Sequence, residues 1–136
     1  MEVISNFQLR TNEVRLKNNG IDGEEFAITP QFERRTGMEG DRYYTELVIR
    51  VENTDEQKSP IDLFVSITGL FDLPGKDKEY IDRFLKENAV QILFPYLRTI
   101  VSNSLTSAMY PPLIMPVINP LTLFPDNRGD PEATKA

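Results

Sequence analysis

The sequence predicts an α+β fold: a four-stranded antiparallel sheet, then a long C-terminal helix, with a short terminal helix or turn on the same face. Three observations carry that prediction. In the first half of the chain, apolar residues alternate with polar ones, which is the period of a half-buried strand. From Lys78 to Met109 there is no glycine, and apolar residues recur at three- and four-residue steps, the period of a helix. Clusters of Asn, Gly, Asp and Pro separate the runs and mark the turns.

Residues 3 to 17 alternate imperfectly. Phe7 and Leu9, then Val14 and Leu16, lie on either side of a polar break, as in a long strand with a bulge that ends at Asn18-Asn19-Gly20. A second run, Glu24 to Arg34, spaces Phe26, Ile28 and Phe32 evenly. It also contains Pro30, which cannot donate a ladder hydrogen bond, so an edge strand or a broken strand is expected. After a turn-forming stretch from Thr36 to Asp41, Tyr43, Thr45, Leu47, Ile49 and Val51 alternate in the clearest strand of the sequence. Past a polar turn from Asn53 to Ser59, Ile61, Leu63, Val65 and Ile67 alternate up to Gly69. Short connections between these runs predict an antiparallel meander.

Beyond Pro74-Gly75, Leu93, Leu97, Ile100, Val101, Ser104, Leu105 and Ala108 form one helical stripe. Pro95 predicts two helical pieces or a kink between Val90 and Pro95, with Pro95 in the first turn of the second piece. Ile92, Phe94 and Tyr96 make another side of the helix apolar, so it is expected to pack against copies of itself, with Tyr96, Ile100 and Ser104 near the contacts. Prolines at 111, 112, 116, 120 and 125 forbid a long helix or a central strand there, leaving an extended segment or one short turn on apolar surface. Residues 126–136 are polar, without periodicity, and expected to form a disordered tail behind a single domain of residues 1–125.

Composition narrows the function. A chain of 136 residues can bury roughly two thirds of its unfolded surface without disulfides or metals. With no Cys and no His, thiolate nucleophiles, Cys/His zinc sites and the usual general base near neutral pH are all missing, so no catalysis and no cofactor are expected. The net charge of -6 repels phosphate backbones and anionic lipids, which argues against nucleic acid as a partner. Residues 1 to 75 carry that acidity, with 8 basic and 14 acidic side chains. The opening MEVISNFQLR has neither a basic region nor an apolar run, and no stretch is apolar enough for a membrane span. A cytoplasmic protein that does not insert into membranes is expected.

One helix can cover only one face of the sheet, yet Phe26, Phe32, Phe64, Leu113, Ile114 and Phe124 all need cover. Apolar surplus of this kind serves oligomerisation or a ligand. The carboxylate pairs Glu24-Glu25, Asp55-Glu56 and Glu39 with Asp41 lack an apolar enclosure and read as solvated surface. Asp126 to Asp130 superficially suggests a calcium loop but lacks the terminal Glu and the flanking helices. Neither a phosphate loop nor a dinucleotide fingerprint occurs.

Residues 88 to 124 read NAVQILFPYLRTIVSNSLTSAMYPPLIMPVINPLTLF, and here the chain resembles the SecB protein-export chaperones. In that family N-I-L-F-P-Y-A-R opens the long helix and P-x-L-x-L-A-P-V-N-F-x-x-L-F follows it. The matches are Ile92 to Arg98, Pro112 to Asn119 and Leu121 to Phe124. FQLR at 7 to 10, YYTELVIRVE at 43 to 52 and TGLF at 68 to 71 resemble three strands of the family. The resemblance implies a homotetramer, a dimer of dimers built through the long helices. It also implies an ATP-independent holdase whose grooves bind unfolded precursor polypeptide and pass it to the SecA motor. Phe26, Ile28, Phe32, Leu113, Ile114, Val117, Leu121 and Phe124 are the expected groove residues. The chain departs from the family where Lys17 and Phe64 replace two carboxylates of the SecA-docking face, so SecA is expected to bind weakly. The terminal helix is cut short by Pro125. These departures fit a divergent SecB-like member, a group that includes chaperones dedicated to one client such as an antitoxin; a small-molecule-binding α+β domain is the remaining alternative.

Overall fold

A computed structural model describes residues 7–20, 30–56, 58–110 and 124. The expected architecture is present: four antiparallel strands, β1 (Phe7–Asn18), β2 (Gln31–Glu39), β3 (Arg42–Val51) and β4 (Ile61–Phe71), are followed by helical chain from Lys78 to Ser107. The terminal helix or turn and the tail at 126–136 lie outside the described residues.

The strand order is β1-β4-β3-β2, which corrects the expected meander. β2, β3 and β4 follow one another as hairpins, but β1 pairs with β4 and not with β2. Twelve residues separate Asn18 from Gln31, far more than a hairpin uses, so the chain is free to place β2 at the opposite edge. β2 is an edge strand, as expected, and begins immediately after Pro30. It continues through Thr36 to Glu39, and only Gly40-Asp41 form the turn. Gly37 is therefore a strand residue. It faces Tyr44 in the ladder, and a Cβ there would meet the Tyr44 hydroxyl at 2.9 Å, so the missing side chain makes room for the ring.

The bulge in β1 falls between Thr11 and Glu13. The extra residue, Asn12, donates through Nδ2 to Ser66 Oγ at 2.9 Å and Thr68 Oγ1 at 2.7 Å, giving its amide two partners on β4.

The helical chain starts at Asp77, whose carboxylate accepts the Tyr80 N–H at 2.8 Å as an N-cap. After α1 (Lys78–Arg83) comes a π-turn, Phe84–Asn88, where the Ala89 N–H reaches back five residues to the Phe84 carbonyl. The helix then continues as α2 (Ala89–Ser107). The irregularity thus precedes Val90, and Pro95 lies well inside α2 rather than in its first turn. Pro95 and Gln91 are both exposed, so the carbonyl left without a partner by the proline can be hydrated.

Most of the core lies between the sheet and α2. Leu47, Ile49 and Val51 of β3 and Leu63, Val65 and Ile67 of β4 pack against Leu93, Phe94, Leu97, Val101 and Leu105. Gly69 on β4 permits a close approach: a Cβ there would come within 2.8 Å of Leu93 Cδ2 and 3.1 Å of the Phe71 ring. A smaller cluster at the other end stacks Phe7 on Phe71 at 5.1 Å, with Phe84 edge-on to Phe71 at 5.1 Å. Phe94 turns into the core and does not extend an outward apolar side; Tyr96 remains outward, 46% exposed.

Candidate functional site

Two regions gather the residues that the sequence singles out. The first lies where β2 meets the helical chain. Phe32 is half-buried on β2, and the Phe124 ring stands edge-on to it at 5.3 Å and edge-on to Phe94 of α2 at 6.0 Å. Rings from three remote parts of the chain thus form one seam, with Phe124 buried in its middle. Phe26, Ile28, Leu113, Ile114, Val117 and Leu121 lie outside the described residues.

Arg34, two residues beyond Phe32 and on the same sheet face, fixes this seam. Its guanidinium is buried, and Nη1 donates to the carbonyls of Lys86 and Phe124, each at 3.0 Å. On β3, Thr45 Oγ1 donates to the Leu85 carbonyl at 2.7 Å. The π-turn leaves carbonyls incompletely used within the helix, and these two sheet side chains satisfy them. Sequence reasoning missed Arg34: an arginine in an edge strand reads as solvent-facing, and its acceptors are backbone atoms far along the chain.

The second region is the face of the sheet turned away from the helix. Arg10 pairs bidentately with Glu39 at 3.0 and 3.2 Å, and Arg35 bridges Glu33 and Glu46. The Arg10 guanidinium holds the Glu39 carboxyl below its ordinary value, chiefly by hydrogen bonding. Asp55 lies 3.7 Å from Lys58, so neither Glu39 nor Asp55 belongs to an enclosed carboxylate pair. Phe64 stands in the row Arg15–Phe64–Arg50, where both arginines are its direct ladder partners. Their guanidinium carbons lie 4.6 and 5.1 Å from the ring centroid. Lys17 is exposed one row away, opposite Asp62.

Along α2, Tyr96, Ile100 and Ser104 follow at four-residue steps on one flank of the buried stripe. Ile100 is half-buried against the main core, Ser104 is half-buried and Tyr96 exposed. Among the described residues, no group of three or more Cys, His, Asp or Glu could hold a metal ion, and no helix is long and apolar enough to cross a membrane.

Known proteins resemble this chain in sequence and in fold. The solved structure of a Mycobacterium tuberculosis SecB-like chaperone in complex with a ChAD peptide from the HigA1 antitoxin superposes with a TM-score of 0.67. It covers 82% of this chain and 87% of that one at 12% identity, a likeness of fold alone. The protein-export protein SecB of Alcanivorax borkumensis is 29% identical over 105 residues, 76% of this chain and 66% of that protein. An uncharacterized protein of Methanocaldococcus jannaschii is 38% identical over 68 residues, 50% of this chain and 44% of that one. The matched region thus spans less than two thirds of either curated relative. The family described as preprotein translocase subunit SecB matches residues 25–130, from the approach to β2 through α2 and past Phe124. With that much of the chain matched and the four-strand, long-helix fold in place, the protein belongs to the SecB family.

Proposed function

We propose that this protein is an ATP-independent holdase that binds unfolded polypeptide, working in the cytoplasm and catalysing no reaction. The observation that carries this reading is the match to the SecB family over residues 25–130 together with edge strand β2, where half-buried Phe32 is backed from the core by the buried Phe94 and Phe124 rings. In this reading Phe26, Ile28, Leu113, Ile114, Val117 and Leu121 extend the seam into a groove. A bound chain would gain about 25 cal/mol per Å² of apolar area covered, without any reading of sequence. Four copies would assemble as a dimer of dimers through the flank of α2 that bears Tyr96, Ile100 and Ser104.

In this reading the docking face serves export delivery poorly. Lys17 is exposed where the family carries a carboxylate, and Phe64 is held between two arginines where it carries another, so docking to SecA would be weak and salt-sensitive. The complex of the M. tuberculosis chaperone with an antitoxin peptide favours a second reading, a chaperone dedicated to one client.

The primary test is suppression of aggregation when a chemically denatured protein is diluted into buffer without nucleotide. Suppression proportional to added chaperone is expected; unimpeded aggregation at excess chaperone would sink the reading. Pull-down from the native cell then separates the two versions. Many polypeptides indicate a general holdase, and one recurrent polypeptide indicates a dedicated one.

A further inference from the structure

We infer that the row Arg15–Phe64–Arg50, with Lys17 beside it, is a docking site for an acidic segment of a partner polypeptide. This inference stands on the sheet face opposite α2 and does not depend on how clients are held.

Most arginines of that face are neutralised within the chain. Arg10 is paired with Glu39, Arg35 with Glu33 and Glu46, and Arg42 with Asp72. At Phe64 two of the three cations are not neutralised in this way. Among the described residues Arg50 has the Phe64 ring but no ion-pair partner, and Lys17 has none either. Asp62, the ladder partner of Lys17, already accepts the Asn53 N–H at 2.7 Å. Arg15 is ion-paired through Nε with Glu13, and its side chain is 65% exposed.

Stacking gives these cations a geometry that free surface side chains lack. A guanidinium lying on a ring keeps its N–H edge available, and that edge bonds a carboxylate through two parallel hydrogen bonds. Because Arg15 and Arg50 are both ladder partners of Phe64, they stand two strands, roughly 10 Å, apart. An extended segment with acidic residues at alternate positions presents carboxylates roughly 7 Å apart on one face, a spacing the two long side chains can meet. The half-buried ring between them adds an apolar contact.

The chemistry selects polypeptide over nucleic acid. Glu13, Glu52 and Asp62 border the three cations, and the chain carries a net charge of -6. A phosphate backbone extending past the cluster would meet those carboxylates and the overall repulsive field. A segment with two or three acidic side chains need not.

The test uses the full chain and short fluorescein-labelled peptides of alternating glutamate and threonine, read by fluorescence anisotropy. Expected is binding tighter by roughly tenfold than that of the glutamine-threonine peptide, and weakening as salt rises. Arg15→Gln with Arg50→Gln should abolish the preference while far-ultraviolet circular dichroism stays unchanged. Arg50→Glu should shift it toward a lysine-threonine peptide. Equal binding of the glutamate and glutamine peptides to the unmodified chain would overturn the proposal without any variant. So would competition by a single-stranded oligonucleotide as strong as that by the acidic peptide.

Discussion

Arg34 and Phe124, ninety residues apart, meet through a buried hydrogen bond of 3.0 Å from Nη1 to the main-chain carbonyl. The same nitrogen also serves the Lys86 carbonyl, so one side chain ties edge strand β2 to the π-turn and to the chain beyond α2. Replacing Arg34 by Leu strands one buried and one partly buried acceptor. A loss of about 2–3 kcal/mol in unfolding free energy is expected, read from urea denaturation with an unchanged slope. Arg34→Lys should recover part of it; a neutral Arg34→Leu would show that the clamp contributes nothing.

Gly69 and Leu93 limit how closely α2 can settle on β4. Gly69→Ala places a methyl group 2.8 Å from Leu93 Cδ2, and overpacking of this kind costs roughly 1–3 kcal/mol. Leu93→Ala alone removes a fully buried side chain and costs about 2–5 kcal/mol. The double variant should be more stable than the sum of the single effects predicts, because the truncated residue admits the new methyl. Additive losses would mean that the Phe71 ring, at 3.1 Å, takes the strain instead.

How far these contacts could be read in advance depended on the distance in sequence between the partners. β3 and β4 were legible because Leu47, Ile49, Leu63, Val65 and their neighbours alternate, and each strand is buried on the face that α2 covers. Leu93, Leu97, Val101 and Leu105 were legible for the same reason at helical period. The pairing of β1 with β4 was not, since alternation says which face a residue occupies and nothing about which strand lies alongside. Phe94 read as outward because its cover includes Phe124, a residue no local pattern can bring there. The polar outer face was visible only as scattered charge; the stacking of Arg15 and Arg50 on Phe64 needed the ladder register.

Two residues past the end of α2 the chain passes through a residue poorly suited to its backbone. Met109 has φ 60° and is 93% exposed, while the Tyr110 N–H bonds to the Leu105 carbonyl at 2.9 Å. A left-handed residue after a helix favours glycine, and side-chain residues there cost roughly 1 kcal/mol. Met109→Gly should therefore raise the unfolding free energy by about that amount, since almost no packing is lost with the side chain. A lower thermal midpoint would contradict this.

Glu39 should titrate below the ordinary carboxylate range because Arg10 stabilises its ionised form. Its folded pKa is depressed, so the small stabilisation is present above the unfolded value and disappears as pH falls through the folded one. Carboxyl-carbon NMR should find the Glu39 midpoint moving upward in Arg10→Gln. An unmoved midpoint would assign the shift to another cause.

Tyr96 offers the cleanest separation of assembly from folding on α2. Ile100 packs partly against the chain's own core, so a charge there would damage folding and association together. Tyr96 is 46% exposed and contributes to neither core cluster, so Tyr96→Asp should leave the isolated fold intact. If the proposed tetramer buries this position, the new carboxylate is desolvated without a partner, a cost large enough to dissociate the assembly. Gln91 is the control: it is also exposed, and lies roughly 140° around the helix from Tyr96. Light scattering after size exclusion should give a reduced mass for Tyr96→Asp and an unchanged mass for Gln91→Asp, both with unmodified circular dichroism. An unchanged mass for both variants would remove this flank of α2 from the assembly interface. A monomeric unmodified protein at micromolar concentration would remove the tetramer itself.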